Sequence, residues 1–237
     1  MNSAALPSPR RRRLLGGLAA CGVLVPVAWP PARAAESTSV PGASEAEQLL
    51  FLQHHLANIT PPSTLRYRQA SEGAPEPNRR NGVLTLTFTR GANGNCCTVH
   101  GEDLSDARAI RLPDIEDASA NPVVLYFLEQ QVRQLETRTR GAAAHFRRRT
   151  RQALADAASV MAGSVRWGDA DVASRIVRVS PYLDDPFRER FAQDALTAYH
   201  FVLSDAVPGM VYQMRAVAAP GREESLTLEP AKLSPKT

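Results

Sequence analysis

Leu84, Leu86 and Phe88 alternate with Thr85, Thr87 and Thr89 in "VLTLTFTR", and no other stretch limits the fold so narrowly. Side chains two apart share a face of an extended chain, so this run is a strand with one apolar face and one hydroxyl face. The same period appears earlier, where Leu65 and Tyr67 alternate with Arg66 and Arg68, and the polar loop "SEGAPEPNRRNG" separates the two runs. It returns in the second half, over residues 164–167, 172–179, 198–203, 211–217 and 226–228, with Gly168-Asp169 and Pro208-Gly209 as turns. A further short strand is predicted over 108–112.

Three segments carry a helical period instead. "SEAEQLLFLQHHLANI" opens with Ser44 and Glu47 at capping-box spacing and continues with Leu49, Leu52, Leu56 and Ile59, an amphipathic helix of about three to four turns that Pro61-Pro62 ends. "NPVVLYFLEQQVRQLETRTRG" offers Asn121 as N-cap, Pro122 at the first helical position, Leu125, Leu128, Val132 and Leu135 on one stripe, and Gly141 as the stop. Another helix, over about 142–158, follows directly. Strands joined by short turns form an antiparallel sheet, so the expected class is α+β, with an N-terminal helix and a central helical pair packed on one face.

The N-terminus reads as an export signal: four arginines (Arg10–Arg13), an apolar stretch from Leu14 to Trp29, and small residues at Ala32, Ala34 and Ala35. That stretch is about 16 residues, short of the roughly 20 that span a bilayer. Cleavage near Ala34 would leave a linker over 35–43, one domain over 44–229 and a disordered tail over 230–237, with a periplasmic location. Arg11-Arg12-Arg13-Leu14-Leu15 resembles a twin-arginine signal, and Leu18-Ala19-Ala20-Cys21-Gly22 resembles a lipoprotein box that would anchor the chain through Cys21. Removing the signal takes five of the 28 basic residues and none of the 24 acidic ones, leaving a nearly neutral chain. Nucleic acid is therefore not an expected partner, because polyanion binding needs a basic surface.

"GANGNCCTVHG" holds the remaining two cysteines. Asn93-Gly94 between strands is a hairpin signal, and with those residues as the turn Arg90 pairs with Cys97, Thr89 with Thr98, Phe88 with Val99 and Thr87 with His100. Cys97 then points inward with Val99, while Cys96 faces outward with His100, about 13 Å from it and too far to share a metal ion. A bond between adjacent cysteines would hold their Cα atoms about 3.8 Å apart, below the usual range. The expectation is a small core residue at Cys97 and a half-exposed thiol at Cys96, with a thiol or metal-handling role the lesser reading.

Other candidates are sparser. Arg138, Arg140, Arg147, Arg148 and Arg151 make the helical pair basic and could meet an anionic membrane surface or an acidic envelope protein. His54 and His55 would point about 100° apart on a helix, and His145 and His200 stand alone in sequence, so each reads as structural. Asp184-Asp185 before Pro186 reads as a turn or N-cap. No nucleophile elbow, zincin motif, C-x-x-C or phosphate-cradling glycine loop is present, so no enzyme, cofactor or metal is expected.

The exported chain, the capped helix at Ser44, the strand content and the mid-chain helical pair together resemble the LolA/LolB family of periplasmic lipoprotein carriers, in element order over roughly residues 44–229. The resemblance implies a curved antiparallel sheet, an incomplete barrel whose concave apolar face, closed by helices, holds acyl chains. On such a face would lie Leu84, Leu86, Phe88, Val99, Leu125, Leu128 and Val132, each of which also fits an ordinary core. The function implied is a non-catalytic carrier of a hydrophobic, lipid-like ligand; the alternative is an envelope assembly protein docking through its arginine-rich helices.

Overall fold

The computed structural model describes residues 42–73, 81–92, 94, 96–104, 110–219 and 221–230. Contacts divide the chain into residues 1–36 and 37–237, and every described residue belongs to the second unit. The export signal with Cys21, most of the linker, Asn93, the start of the strand expected at 108 and the tail from 231 lie outside the described residues.

Among the described residues, nine strands form one antiparallel sheet: β1 Ser63–Glu72, β2 Gly82–Arg90, β3 Cys96–Asp103, β4 Ile110–Arg111, β5 Ser159–Trp167, β6 Ala170–Val179, β7 Ala198–Leu203, β8 Val211–Ala219 and β9 Arg222–Leu228. Their spatial order is β4-β3-β2-β1-β9-β8-β7-β6-β5, so each half of the chain is a meander and the halves join where β1 pairs with β9. The helical pair, α2 Val123–Thr139 and α3 Ala143–Asp156, runs from β4 to β5, which are the two free edges. Laid flat, nine strands would separate those edges by about 38 Å, against roughly 26 Å for the 17 residues of α2. The sheet curls without closing, and the helices cross its concave side.

Alternation decides which side chains face inward. Leu65, Tyr67, Gln69 and Ser71 of β1 are buried between exposed or half-buried neighbours, as are Leu84, Leu86 and Phe88 of β2. On the other half, Tyr199 and Phe201 of β7 take Phe127 of α2 edge-on, with ring centres 6.1 and 5.9 Å apart. Tyr182 continues the cluster to Tyr199, to Phe146 of α3 and to Phe191, all edge-to-face. Each such ring contributes roughly 1.5–3 kcal/mol by leaving water. These rings fill the middle of the concavity, so the room a barrel interior would offer a ligand is occupied there by the protein's own side chains.

Three expectations are corrected. The first helix is shorter than its apolar spacing predicts. Ser44 and Glu47 do form the capping box, but α1 (Glu45–Glu47) passes into a wide turn over Gln48–Leu52, and the chain breaks at Gln53 before a tight turn at His55–Asn58. Leu52 is consequently exposed, while Leu49, Leu56 and Ile59 are buried.

The stripe on α2 is also displaced. Val123, Val124, Phe127, Gln131, Val132 and Leu135 are buried, whereas Leu125 is 59% exposed. The helix ends in a left-handed residue at Arg140 (φ 54°), one position before the glycine. A Cβ on Gly141 would lie 2.9 Å from the Phe146 ring, so this glycine makes room for packing instead of supplying the turn.

The third correction concerns the cysteines. Thr89 pairs with Thr98, Phe88 with Val99 and Thr87 with His100, as the alternation predicts, but Arg90 pairs with Cys96, not Cys97. The loop is longer than a two-residue turn, with Gly94 N–H donating to Gly91 C=O at 2.9 Å, and β3 carries one extra residue. At such a bulge two residues oppose one, and the rule that sends neighbours to opposite faces fails. Cys97 is fully buried and Cys96 exposed, yet their sulfurs are joined in a disulfide, so Cys96 is not a thiol.

Candidate functional site

A half-open cleft of about 570 Å³ lies beside the aromatic cluster, between α2 and the β2–β4 side of the sheet. Its floor is apolar, from Leu86 of β2, Val99 of β3, and Leu112 and Ile115 of the segment after β4. Local structure explains the space. β4 is two residues long, and beyond it the chain bonds back through Leu112 N–H to Gly101 C=O (2.8 Å) and through reciprocal bonds between Val99 and Ile115 (2.8 and 3.0 Å). Gly101 has no side chain on the floor; a Cβ there would come within 2.8 Å of Leu112.

One face of α2 forms the roof. Leu125 and Tyr126, Glu129 and Gln130, Arg133 and Gln134, then Thr137 and Arg138 recur every three to four residues along the cleft. This stripe stands next to the one that packs into the core. Leu125 and Ile115, at 59% and 39% exposure, line the cleft as large apolar side chains open to solvent.

The ionised groups of the lining are engaged by the protein itself. The buried carboxylate of Asp103 accepts from Gln69 Nε2 at 3.0 Å and from the Tyr126 hydroxyl, which ties α2 to β3. Glu129 accepts two bonds from Arg147 of α3, at 2.6 and 2.8 Å, and one from Arg133 at 3.1 Å. The Arg147 bonds hold the Glu129 carboxyl below its usual range and the guanidinium above its own. Arg138 reaches Gln134 at 2.9 Å and Asp194 at 3.1 Å, and Arg222 shares that aspartate. A ligand in the cleft therefore meets an apolar floor and a roof of amides, hydroxyls and compensated charges.

Of the seven side chains placed on a ligand-holding face, Leu125 stands open to this cleft, while Leu86 and Val99 lie beneath its floor as buried members of the core. Leu84, Phe88 and Val132 are buried in the core, and Leu128 packs against it half-buried. Among the five arginines, Arg138 and Arg147 are engaged as above, Arg140 caps α2, Arg148 lies 3.3 Å from His145 Nδ1, and Arg151 is exposed.

His145 is not isolated. Its Nε2 is 2.6 Å from Oδ2 of the buried Asp185, which Arg149 also approaches at 3.4 Å. Asp185 accepts the Phe187 N–H at 2.8 Å, a turn-forming role that matches the turn its sequence context predicts, while no side chain caps the short helix beyond it. His55 is buried and His54 exposed. The contacts of Asp103 with Tyr126 and Gln69, and of Glu129 with Arg147, have no local signal, their partners lying 23, 34 and 18 residues away; only the Glu129–Arg133 pair sits at helical i,i+4 spacing.

No family model matches the chain, and no curated protein matches it. Among solved structures it is similar to the crystal structure of lipoprotein LppX of Mycobacterium tuberculosis, at 8% identity and a TM-score of 0.30, over 73% of this chain and 91% of that one.

Proposed function

We propose that the protein is an exported, non-catalytic binding protein or carrier for a hydrophobic, lipid-like ligand, and that the ligand lies in the cleft beneath α2. The observation that carries this reading is a half-open space of about 570 Å³ over an apolar floor, where Leu112 and Ile115 reach the surface above the buried Leu86 and Val99. That size falls within the roughly 300–1,000 Å³ typical of small-molecule sites. Exposed Leu125 and Ile115 in its lining favour the same reading, since large apolar side chains left in water gain from a ligand that covers them.

The test is a titration with an environment-sensitive naphthylamine dye, followed by displacement with a long-chain fatty acid. Saturable blue-shifted emission that the fatty acid reverses is the expected result. Absence of saturable dye binding by the folded protein would sink the proposal.

A second reading rests on Arg140, Arg148 and Arg151, which are exposed and make no ion pair among the described residues. They favour docking on an anionic lipid surface or an acidic envelope protein, with the protein placed in the periplasm or anchored through Cys21. Retention on anionic vesicles that survives high salt would count against it.

A further inference from the structure

The two free edges of the sheet are treated very differently. β4 has two residues, one of them Arg111, and the chain folds back beyond it through the Val99–Ile115 bridge. β5 has nine residues, "SVMAGSVRW", with one charge and no proline, and no described backbone group bonds to its outer side. Edges so long and plain are rare unless something pairs with them.

We propose that the partner is a second copy of this chain, added along β5 about a two-fold axis. The hairpin fixes which backbone groups are on offer. Trp167 and Ala170 close the two-residue turn at Gly168-Asp169, where Gly168 is left-handed (φ 59°), so this pair is bonded to itself. Bonded and unbonded pairs then alternate along the ladder. Val160, Ala162, Ser164 and Arg166 therefore direct their N–H and C=O groups outward.

Those four positions are complementary to themselves when the strand is reversed. Val160 meets Arg166 of the second copy and Ala162 meets its Ser164, giving about eight backbone bonds. The two Gly163 residues face each other on the axis, at an unbonded position where Cα atoms approach to about 4.5 Å. This register engages all nine residues and sets Met161, 49% exposed, opposite Val165 of the other copy, an apolar cross-strand pair. Like charges stay apart: each Arg166 keeps its own Asp171 at 3.6 Å, and the two arginines lie about 20 Å from one another. A single added ladder is a small interface, so the dimer is of the weak, concentration-dependent kind.

The experiment is analytical ultracentrifugation with amide hydrogen exchange on the purified chain, from low micromolar to near-millimolar concentration. The expected result is a doubling of apparent mass, with at least tenfold slower exchange at Val160, Ala162, Ser164 and Arg166 as concentration rises. Ala162→Pro removes an outward N–H, and Met161→Lys places a charge opposite the apolar Val165 of the second copy without touching the hairpin's own bonds. Each should abolish both effects while circular dichroism stays unchanged in at least the lysine variant. A monomer at all concentrations overturns the proposal, as does a dimer that persists in the folded variant. Slow exchange that does not depend on concentration also overturns it, by showing that another segment of the same chain covers the edge.

Discussion

His55 accepts the backbone N–H of Asn121 at Nδ1 (3.0 Å), while its Nε2–H donates to the Leu49 carbonyl (2.7 Å). Both bonds require the neutral ring protonated on Nε2. Burial holds its pKa below the ordinary 6.5, outweighing the opposing effects of the Leu49 carbonyl and Asp205. Between the folded value and 6.5 the unfolded chain binds more protons, so stability rises with pH across that window. The contribution is complete above pH 6.5 and is lost as pH falls through the folded value. Urea midpoints measured from alkaline to mildly acid pH should therefore decline once pH passes below 6.5. His200, also lowered by burial, acts in the same direction, so the comparison that isolates His55 is His55→Gln, whose profile should be flatter. Equal slopes would show that His55 is not the group responsible.

Asn121 connects three elements from one buried side chain. Its Nδ2 donates to the Tyr67 hydroxyl (2.9 Å) and to the Gly209 carbonyl (3.0 Å), and its Oδ1 accepts Val123 N–H (3.2 Å) at the start of α2. Asn121→Ala leaves those partners short of a bond in a dry interior, and a loss of about 2–4 kcal/mol is expected in denaturant unfolding. Asn121→Asp keeps the shape but faces a carbonyl with an acceptor, and should lose at least as much. A loss near zero for either would mean the hydrogen bonds are replaceable by water.

Leu125→Glu separates ligand binding from folding. The side chain is 59% exposed on the roof of the cleft, so its replacement should shift stability by about 0.5 kcal/mol or less. A ligand that covers it loses roughly 1.5 kcal/mol or more of apolar contact, or about tenfold in affinity. Dye affinity unchanged in the variant would place the binding surface elsewhere.

What the sequence makes legible is whatever depends on a local period. Leu84, Leu86 and Phe88 mark their strand and its buried face, and the pairing of Phe88 with Val99 follows from it, because both faces of a half-buried ladder must match. The bulge at Cys96-Cys97 leaves no such trace, since one extra residue preserves the composition on either side. The α2 helix misleads for a related reason. It serves both core and cleft, and a single apolar stripe through Leu125, Leu128 and Val132 runs obliquely across the two faces. Glu129 with Arg147, and His145 with Asp185, belong to pairings that only the completed fold creates.

The pairing of β1 with β9 carries a consequence for how the molecule assembles. Every other ladder joins neighbours in the chain, but the one between Tyr67 and Leu228 closes a loop of about 160 residues, at an entropic cost that grows with its logarithm. Each meander can form on its own local contacts, and the seam can close only after both exist. On this account Leu228→Ala, at the seam, should speed unfolding and leave the folding rate nearly unchanged, whereas Leu86→Ala, within a meander, should slow folding. The cleft draws its floor from the first meander, so the apolar surface proposed to hold a ligand can begin to take shape before the two halves of the sheet have met.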